Sequence, residues 1–320
     1  MARRFCGLLG LRERRVHVGA AALLSALILV SSAFGSEVSF TKALAPGVVL
    51  KQVVKRGAPD PMVINVLEVN PKAPGVKLKC IPAVFSNENG PAKRRDTVSS
   101  VAARIGCLAA VNASFFNMQT ADTIGLVIAD GELLSEPYPN WVCVGWDSEG
   151  KVMVDVVTMQ ASVEAGGRKF PISGLNRTRR QNELVVYTRA YGLTTPNNAS
   201  GNEVVVVDVP VPLRPGVFEG RVSQVRTYAG SAPIPADGLV LSGHGPAAEF
   251  IGSLRQGDTV RISISLKGAD GLSWDSVQNA VSGNQYLVKN GKPETANLKP
   301  ALDVRHPRTV LGIKPSGEIL

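Results

Sequence analysis

The stretch Leu108–Gly131, LAAVNASFFNMQTADTIGLVIADG, holds the side chains best suited to chemistry. An apolar run stops at Asn112, two small residues follow, and Phe115 and Phe116 stand together. The pattern predicts a strand over Leu108–Val111, a polar loop, a second strand over Ile124–Ile128 and a tight turn at Asp130-Gly131, where Gly accepts a positive φ. An amide beside two aromatics at the mouth of a sheet suits the hydroxyls and the apolar face of a sugar. The alternative is that both rings are core. Asp122, within this stretch, and Glu136, just after it, are the first candidates for acid/base work.

Three further positions carry chemistry-bearing groups. Arg308, followed by Thr309, precedes an apolar run over Val310–Ile313. A guanidinium there can bind a carboxylate or phosphate through two parallel hydrogen bonds, or make a structural ion pair. His244 and His306 lie beside glycine or proline in loops that can present an imidazole, or simply be loops. Asn284 and Gln285 are amides between apolar segments, with turn chemistry as the alternative. The chain has no G-x-S-x-G elbow, phosphate loop, H-E-x-x-H or C-x-x-C. Cys80, Cys107 and Cys143 match no metal-site spacing; Cys107 could pair with either of the others, but buried free thiols are the simpler expectation. Neither metal nor cofactor is expected.

The elements that must position these groups begin after a leader. Arg3, Arg4, Arg12, Arg14 and Arg15 precede an apolar run over Val18–Val30, and Ala33-Phe34-Gly35 is a small-x-small site. Residues 1–35 therefore read as a secretory signal peptide, with an uncleaved anchor as the alternative; export to a periplasmic or extracellular space follows, and the leader is the only expected membrane contact. That segment holds five arginines and one glutamate, so the remainder carries 30 basic and 25 acidic residues, net +5 rather than +9. No aromatic-interleaved basic stripe is present and nucleic acid is not an expected partner; Lys93-Arg94-Arg95 and the arginines at 177, 179 and 180 read as solvated loops.

Residues 36–320 show no composition break and read as one α+β domain, β-rich with few helices. β-branched runs predict strands at 48–54, 62–69 and 76–81. A helix is predicted over 97–105 with Asp96 as its N-cap. Strands follow at 141–146, 151–157, 160–163, 168–172, 183–188, 204–209, 221–227 and 238–242, then a helix over 247–254 and an alternating strand at 259–266. Residues 174–200 read as a long surface excursion. Asn290-Gly291 marks a hairpin, and residues 310–313 and 318–320 predict two last strands.

In order, VNASFFN, TIGLVIADGELLSEP, LVLSGHG, NAVSGNQYLVKNGK and HPRTVLGIKPSGEI resemble the signature of the phosphodiester glycosidase family, whose bacterial relatives are linked to exopolysaccharide biosynthesis. The resemblance runs from about Val48 to the end. It implies a mixed fold with its site in loops at one end of the sheet, and cleavage of a sugar-1-phosphodiester bond. By motif, Asn112, Phe115 and Phe116 fall on the family's Asn-Gly-Gly-Phe-Phe positions, with Ala113 and Ser114 replacing the glycines. Arg308 and Thr309 fall on its Arg-Thr pair, and Ser282-Gly283-Asn284 on a glycine-rich turn. The family continues with an Asp-Gly-Gly-Gly-Ser motif beyond the point where this sequence stops, so the resemblance implies a domain truncated at its C-terminus. The rival expectations are a non-catalytic envelope protein that binds glycan, and an inactive fragment.

Overall fold

In the computed structural model, residues 37–57, 61–82, 96–196, 198–294 and 304–320 are described. The predicted leader and Lys93-Arg94-Arg95 lie outside them. These residues cluster into two compact units: one of residues 37–78, 102–110 and 306–320, the other of residues 79–101 and 111–305. Both are rich in strand, so no composition break marks where the chain passes between them.

The smaller unit is built on an antiparallel meander, β1 (Glu37–Ala45), β2 (Val48–Lys55) and β3 (Met62–Val69), with Val48 opposite Val69. β1 carries no clean alternation and is not anticipated by the sequence. Gly47, at φ 77°, turns β1 into β2 where a Cβ would lie 2.3 Å from the Cβ of Ala73. The buried Ile319 exchanges 2.8 Å hydrogen bonds with Val69 and bridges Ile313, so the two last predicted strands form one short hairpin. Glu68 accepts from Lys51 and Lys314. Those two ammonium groups hold its carboxyl below the usual range, though burial opposes them.

Helix α1 (Val98–Ile105) joins the units. Val98, Val101, Ala102 and Ile105 are its less exposed side chains, as their spacing predicts. Its cap is one residue later than expected: the Thr97 hydroxyl accepts from Ser100 N at 3.1 Å, while Asp96 accepts from Thr97 N. The run Leu108–Val111, predicted as strand, continues irregularly from the helix's terminal turn at Gly106. Residues 76–81 also form no strand. The amide of Cys80 bonds the side chain of Asn279 at 2.9 Å rather than a neighbouring strand.

The larger unit is a sheet of twelve strands with one short helix. After the paired dipeptides β4 (Phe115–Phe116) and β5 (Thr123–Ile124) come β6 (Val127–Ala129), β7 (Glu132–Ser135), β8 (Val142–Trp146), β9 (Val152–Ala165), β10 (Arg168–Pro171), β11 (Gly174–Leu175) and β12 (Leu184–Tyr187). Then follow β13 (Asn202–Val207), β14 (Gly216–Thr227), β15 (Gly238–Gly243), α2 (Pro246–Gly252), β16 (Thr259–Gly268) and β17 (Asn279–Ser282). A separate ribbon of β18 (Val288–Lys289) and β19 (Lys292–Pro293) closes at Asn290-Gly291, both at positive φ as that turn requires.

The spatial order is β11-β12-β15-β13-β14-β16-β9-β8-β17-β6-β7, with β10 on β9. Every pairing within it is antiparallel except β11 with β12. The fold is thus β-rich, with two short helices among the described residues. The two strands predicted at 151–157 and 160–163 are one: β9 pairs with β8 through Val152–Val156 and with β16 through Val157–Glu164. β16 alternates as its sequence predicts, burying Val260, Ile262, Ile264 and Leu266. β12 and β15 are buried on both faces, Leu184 and Val186 in the main core and Val185 and Tyr187 in a second cluster with Ile234 and Val240.

Leu241, fully buried in β15, should cost about 2–5 kcal/mol when truncated to Ala. Val217, 57% exposed on β14, should cost less than about 0.5 kcal/mol. Urea unfolding of Leu241→Ala and Val217→Ala measures both; equal losses would contradict this sheet assignment.

Candidate functional site

The loop after Asn112 reaches the sheet through one side chain. Ser114 adopts φ 54°, and its Oγ accepts from Ser282 N at 3.2 Å. Ser282 ends β17; its own hydroxyl donates to Leu126 O at 3.0 Å and lies 3.5 Å from the Cys143 thiol. Gly283 N then bonds Val142 O at 2.8 Å. The loop of Asn112 and the turn leading to Asn284 therefore lie side by side. Gly125 makes room: at φ 88°, an added Cβ would stand 2.7 Å from that of Ser282 and 3.2 Å from Trp141 Cε3.

Successive side chains on a strand point to opposite faces. Phe116 is accordingly buried and Phe115 is 41% exposed, so one ring is core and the other is presented. Phe115 meets Trp141 edge-on, centroids 4.8 Å apart, and Trp141 meets Tyr138 at 4.6 Å. The loop after β4 is a tight turn. Asn117 Oδ1 accepts from Gln119 N and Thr120 N, and Thr120 Oγ1 donates to Asp122 Oδ2 at 2.8 Å. Burial first, and the Asp122 charge second, push the Tyr191 phenol above its ordinary range.

Glu136 has a different neighbourhood. Its two oxygens accept from Arg177 Nε and Leu175 N, each at 2.6 Å. The same guanidinium forms a two-pronged pair with Glu183, at 2.6 and 3.0 Å. Burial raises the Glu136 pKa against the pull of Arg177. Burial also acts on Glu183, but its bonds to Arg177 outweigh it and hold that carboxyl low. His244 lies beside this network: its N bonds Glu183 O at 3.0 Å, and its Nδ1 accepts from Asn182 N at 3.0 Å. Residues 174–200 are therefore no surface excursion. Asn176 and Arg179 are buried, and Arg179 Nη1 bonds Ser242 Oγ at 2.8 Å and Gly243 O at 2.9 Å. A segment this polar is buried because most of its donors and acceptors find internal partners, although Arg179 Nε finds none. The arginines predicted to be solvated at 177 and 179 are the centres of that satisfaction.

The larger unit thus brings together Asn112, Phe115, Phe116 and Asn284, with Asp122 in the adjoining turn. Glu136 falls on the ion network and His244 beside it. His306, Arg308 and Thr309 belong to the smaller unit, in exposed chain without regular structure. Tyr138, Trp141 and Glu183 were not singled out by sequence, and Arg177 only as part of a solvated loop. A readable signal for the first two was the pair of aromatics three residues apart among prolines in EPYPNW. Among the described residues, no cluster of three His, Cys, Asp or Glu side chains could hold a metal ion. Cys80, Cys107 and Cys143 are free thiols.

These features define a β-rich module that presents aromatic and amide side chains from loops beside one strand end. Its family resemblance is shown over the C-terminal third: residues 215–320 match the phosphodiester glycosidase family. No curated protein matches the chain. Its fold is shared by a hypothetical protein from Synechocystis, at TM-score 0.66 and 19% identity over 90% of this chain and 52% of that one. The chain spans about half that protein's length. A Burkholderia pseudomallei K96243 protein classed as exported matches at TM-score 0.67 and 17% identity, over 93% of this chain and 86% of that one. At these identities the likeness is one of fold alone.

Arg177→Met should destabilise the chain by about 3 kcal/mol at pH 7, because it takes the cationic partner from two half-buried carboxylates. Freed of Arg177, Glu136 loses the partner that opposes burial and titrates further above its unfolded value. Its charge then costs stability at neutral pH, and the cost is relieved as acid protonates it. The variant's deficit should therefore shrink between pH 7 and pH 5. Urea unfolding at both pH values measures it; a deficit that grows in acid would contradict the pairing.

Proposed function

We propose that this chain is an exported hydrolase of the phosphodiester glycosidase type, cleaving a sugar-1-phosphodiester bond in exopolysaccharide or other envelope glycan. The observation that carries the reading is the Ser114–Ser282 bond, which sets the Asn112–Phe115 loop against the turn at Asn284, a turn inside the family-matched segment. In this reading the amides of Asn112 and Asn284 hold sugar hydroxyls and Phe115 lies against the ring, with Phe116 fixing the loop from the core. Arg308 and Thr309, in the same matched segment, hold the phosphate. Charge developing on the leaving phosphate is then spread onto a guanidinium.

An oxocarbenium-like transition state needs a carboxylate or an equivalent group. Asp122 is the first choice, since it stands in the turn that follows Phe115 and Phe116, whereas both oxygens of Glu136 are engaged by Leu175 and Arg177. His244 and His306 remain the alternative acids or bases. The basic and apolar leader supports export, as does the exported class of the Burkholderia neighbour. Among the described residues no helix is long and apolar enough to cross a membrane.

The test is release of reducing sugar from a panel of sugar-1-phosphodiesters. Arg308→Lys should lose more than about tenfold in turnover, because an ammonium cannot make the two-pronged contact. Asp122→Asn should lose about a hundredfold or more. Near-normal turnover in the folded Arg308→Lys protein would remove the phosphate role. Absence of hydrolysis across the panel, with glycan binding retained, would instead favour a non-catalytic glycan-binding protein. Export has its own check: N-terminal sequencing of released protein should begin near Ser36, and an intact Met1 would overturn cleavage.

A further inference from the structure

We propose that Tyr138 and Trp141 join Phe115 in a stacking subsite for the apolar face of a pyranose ring, a deepening that rests on the sugar-binding reading above. Phe115 and Tyr138 are 41% and 46% exposed, and half-buried Trp141 touches both. Aromatic side chains contribute most to stability when buried, so three rings grouped at the surface are poorly explained by packing. A ligand's apolar face would complete their burial. Uncharged hydrogen-bonding groups stand beside them: Ser114 is the residue before Phe115, Asn112 lies two further back, and the turn to Asn284 is bonded to Ser114. An aromatic surface edged by amides and hydroxyls fits a neutral ring with equatorial hydroxyls better than an anion or an aliphatic chain.

The rings are also held ready. Trp141 N bonds Tyr138 O at 3.1 Å across a turn in which Asn140 adopts φ 60°. Pro137 and Pro139 flank Tyr138 and restrict its backbone. Upstream, Glu136 is fixed through both carboxylate oxygens; downstream, Val142 enters β8 buried. A surface fixed before binding loses little entropy when the ligand arrives.

The chain supplies its own reporter. Of its three tryptophans, Trp146 and Trp274 are 5% and 1% exposed, so Trp141 is the one that solvent quenchers reach. Acrylamide quenching of the full chain would be titrated with the 1-phosphates of glucose, galactose, mannose and N-acetylglucosamine, with inorganic phosphate and adenosine monophosphate as controls. At least one sugar phosphate should protect the emission saturably, and neither control should. Tyr138→Ala should weaken that binding at least tenfold, Tyr138→Phe should restore it, and Trp141→Phe should remove the signal. Equal protection by the nucleotide, protection by none of the four sugars, or unchanged affinity in folded Tyr138→Ala would overturn the subsite. Hydrolysis of sugar-1-phosphodiesters by the same preparation separates the two readings. Turnover without protection leaves the hydrolase and removes the subsite; protection without turnover does the reverse.

Discussion

Strand β9 is the constraint on which the larger unit depends. Its first residues pair with β8, its later ones with β16, and its last four also with β10. Side chains alternate with period two, so a slip of one residue along β9 would turn each of them to the other face. The register places Asp155, Cys143 and Ser282 in one row across β9, β8 and β17. Ser282 then holds Ser114, and with it the loop of Asn112 and Phe115. The candidate site is thus set by backbone pairing several strands away. β4 and β5, with two residues each, are too short to fix that loop by themselves.

A second dependence runs through charge. Arg177 satisfies Glu136 on one side and Glu183 on the other. Taking these ions from water is costly, and only the two-pronged geometry and the added bonds to Leu175 N and Arg180 N offset it. Arg179 is held differently. It reaches the buried Glu203 only through the Ser242 hydroxyl, which donates to Glu203 Oε1 at 3.0 Å. Together these networks let a polar segment lie beside β12 and β15, whose residues are buried on both faces. They also tether Glu136, the residue that opens the loop of Tyr138 and Trp141.

The strands were legible wherever β-branched runs were bounded by turn residues, as at β2, β3, β13 and β16. The Asn290-Gly291 and Asp130-Gly131 turns were legible because only certain residues accept their φ values. What failed was anything decided by a distant partner. Leu108–Val111 and residues 76–81 have strand composition but no ladder to join, and Cys80 N spends its hydrogen bond on Asn279. The continuity of β9 was hidden because Thr158 and Met159 read as a break between two hairpins. Residues 174–200 read as solvated because arginine, asparagine and threonine normally are; their burial rests on partners far along the chain, at Glu136, Glu203 and Ser242. The sequence does not separate the two rings of the aromatic pair. Phe115 and Phe116 divide between solvent and core because adjacent residues of a strand cannot share a face.

That division shapes the site. A single buried ring would leave the loop anchored but featureless, and two exposed rings would leave it unanchored. With Phe116 in the core, the loop's position is fixed by packing, and the orientation of Phe115 follows from the backbone. Trp141 contacts the exposed ring from a loop fixed by a different interaction, the Glu136–Arg177 pair. Two independent anchors, one apolar and one ionic, therefore converge on one aromatic contact. Loosening either would move a ring without unfolding the sheet. The geometry of this surface is in that sense coupled to Arg177, which touches neither ring pair.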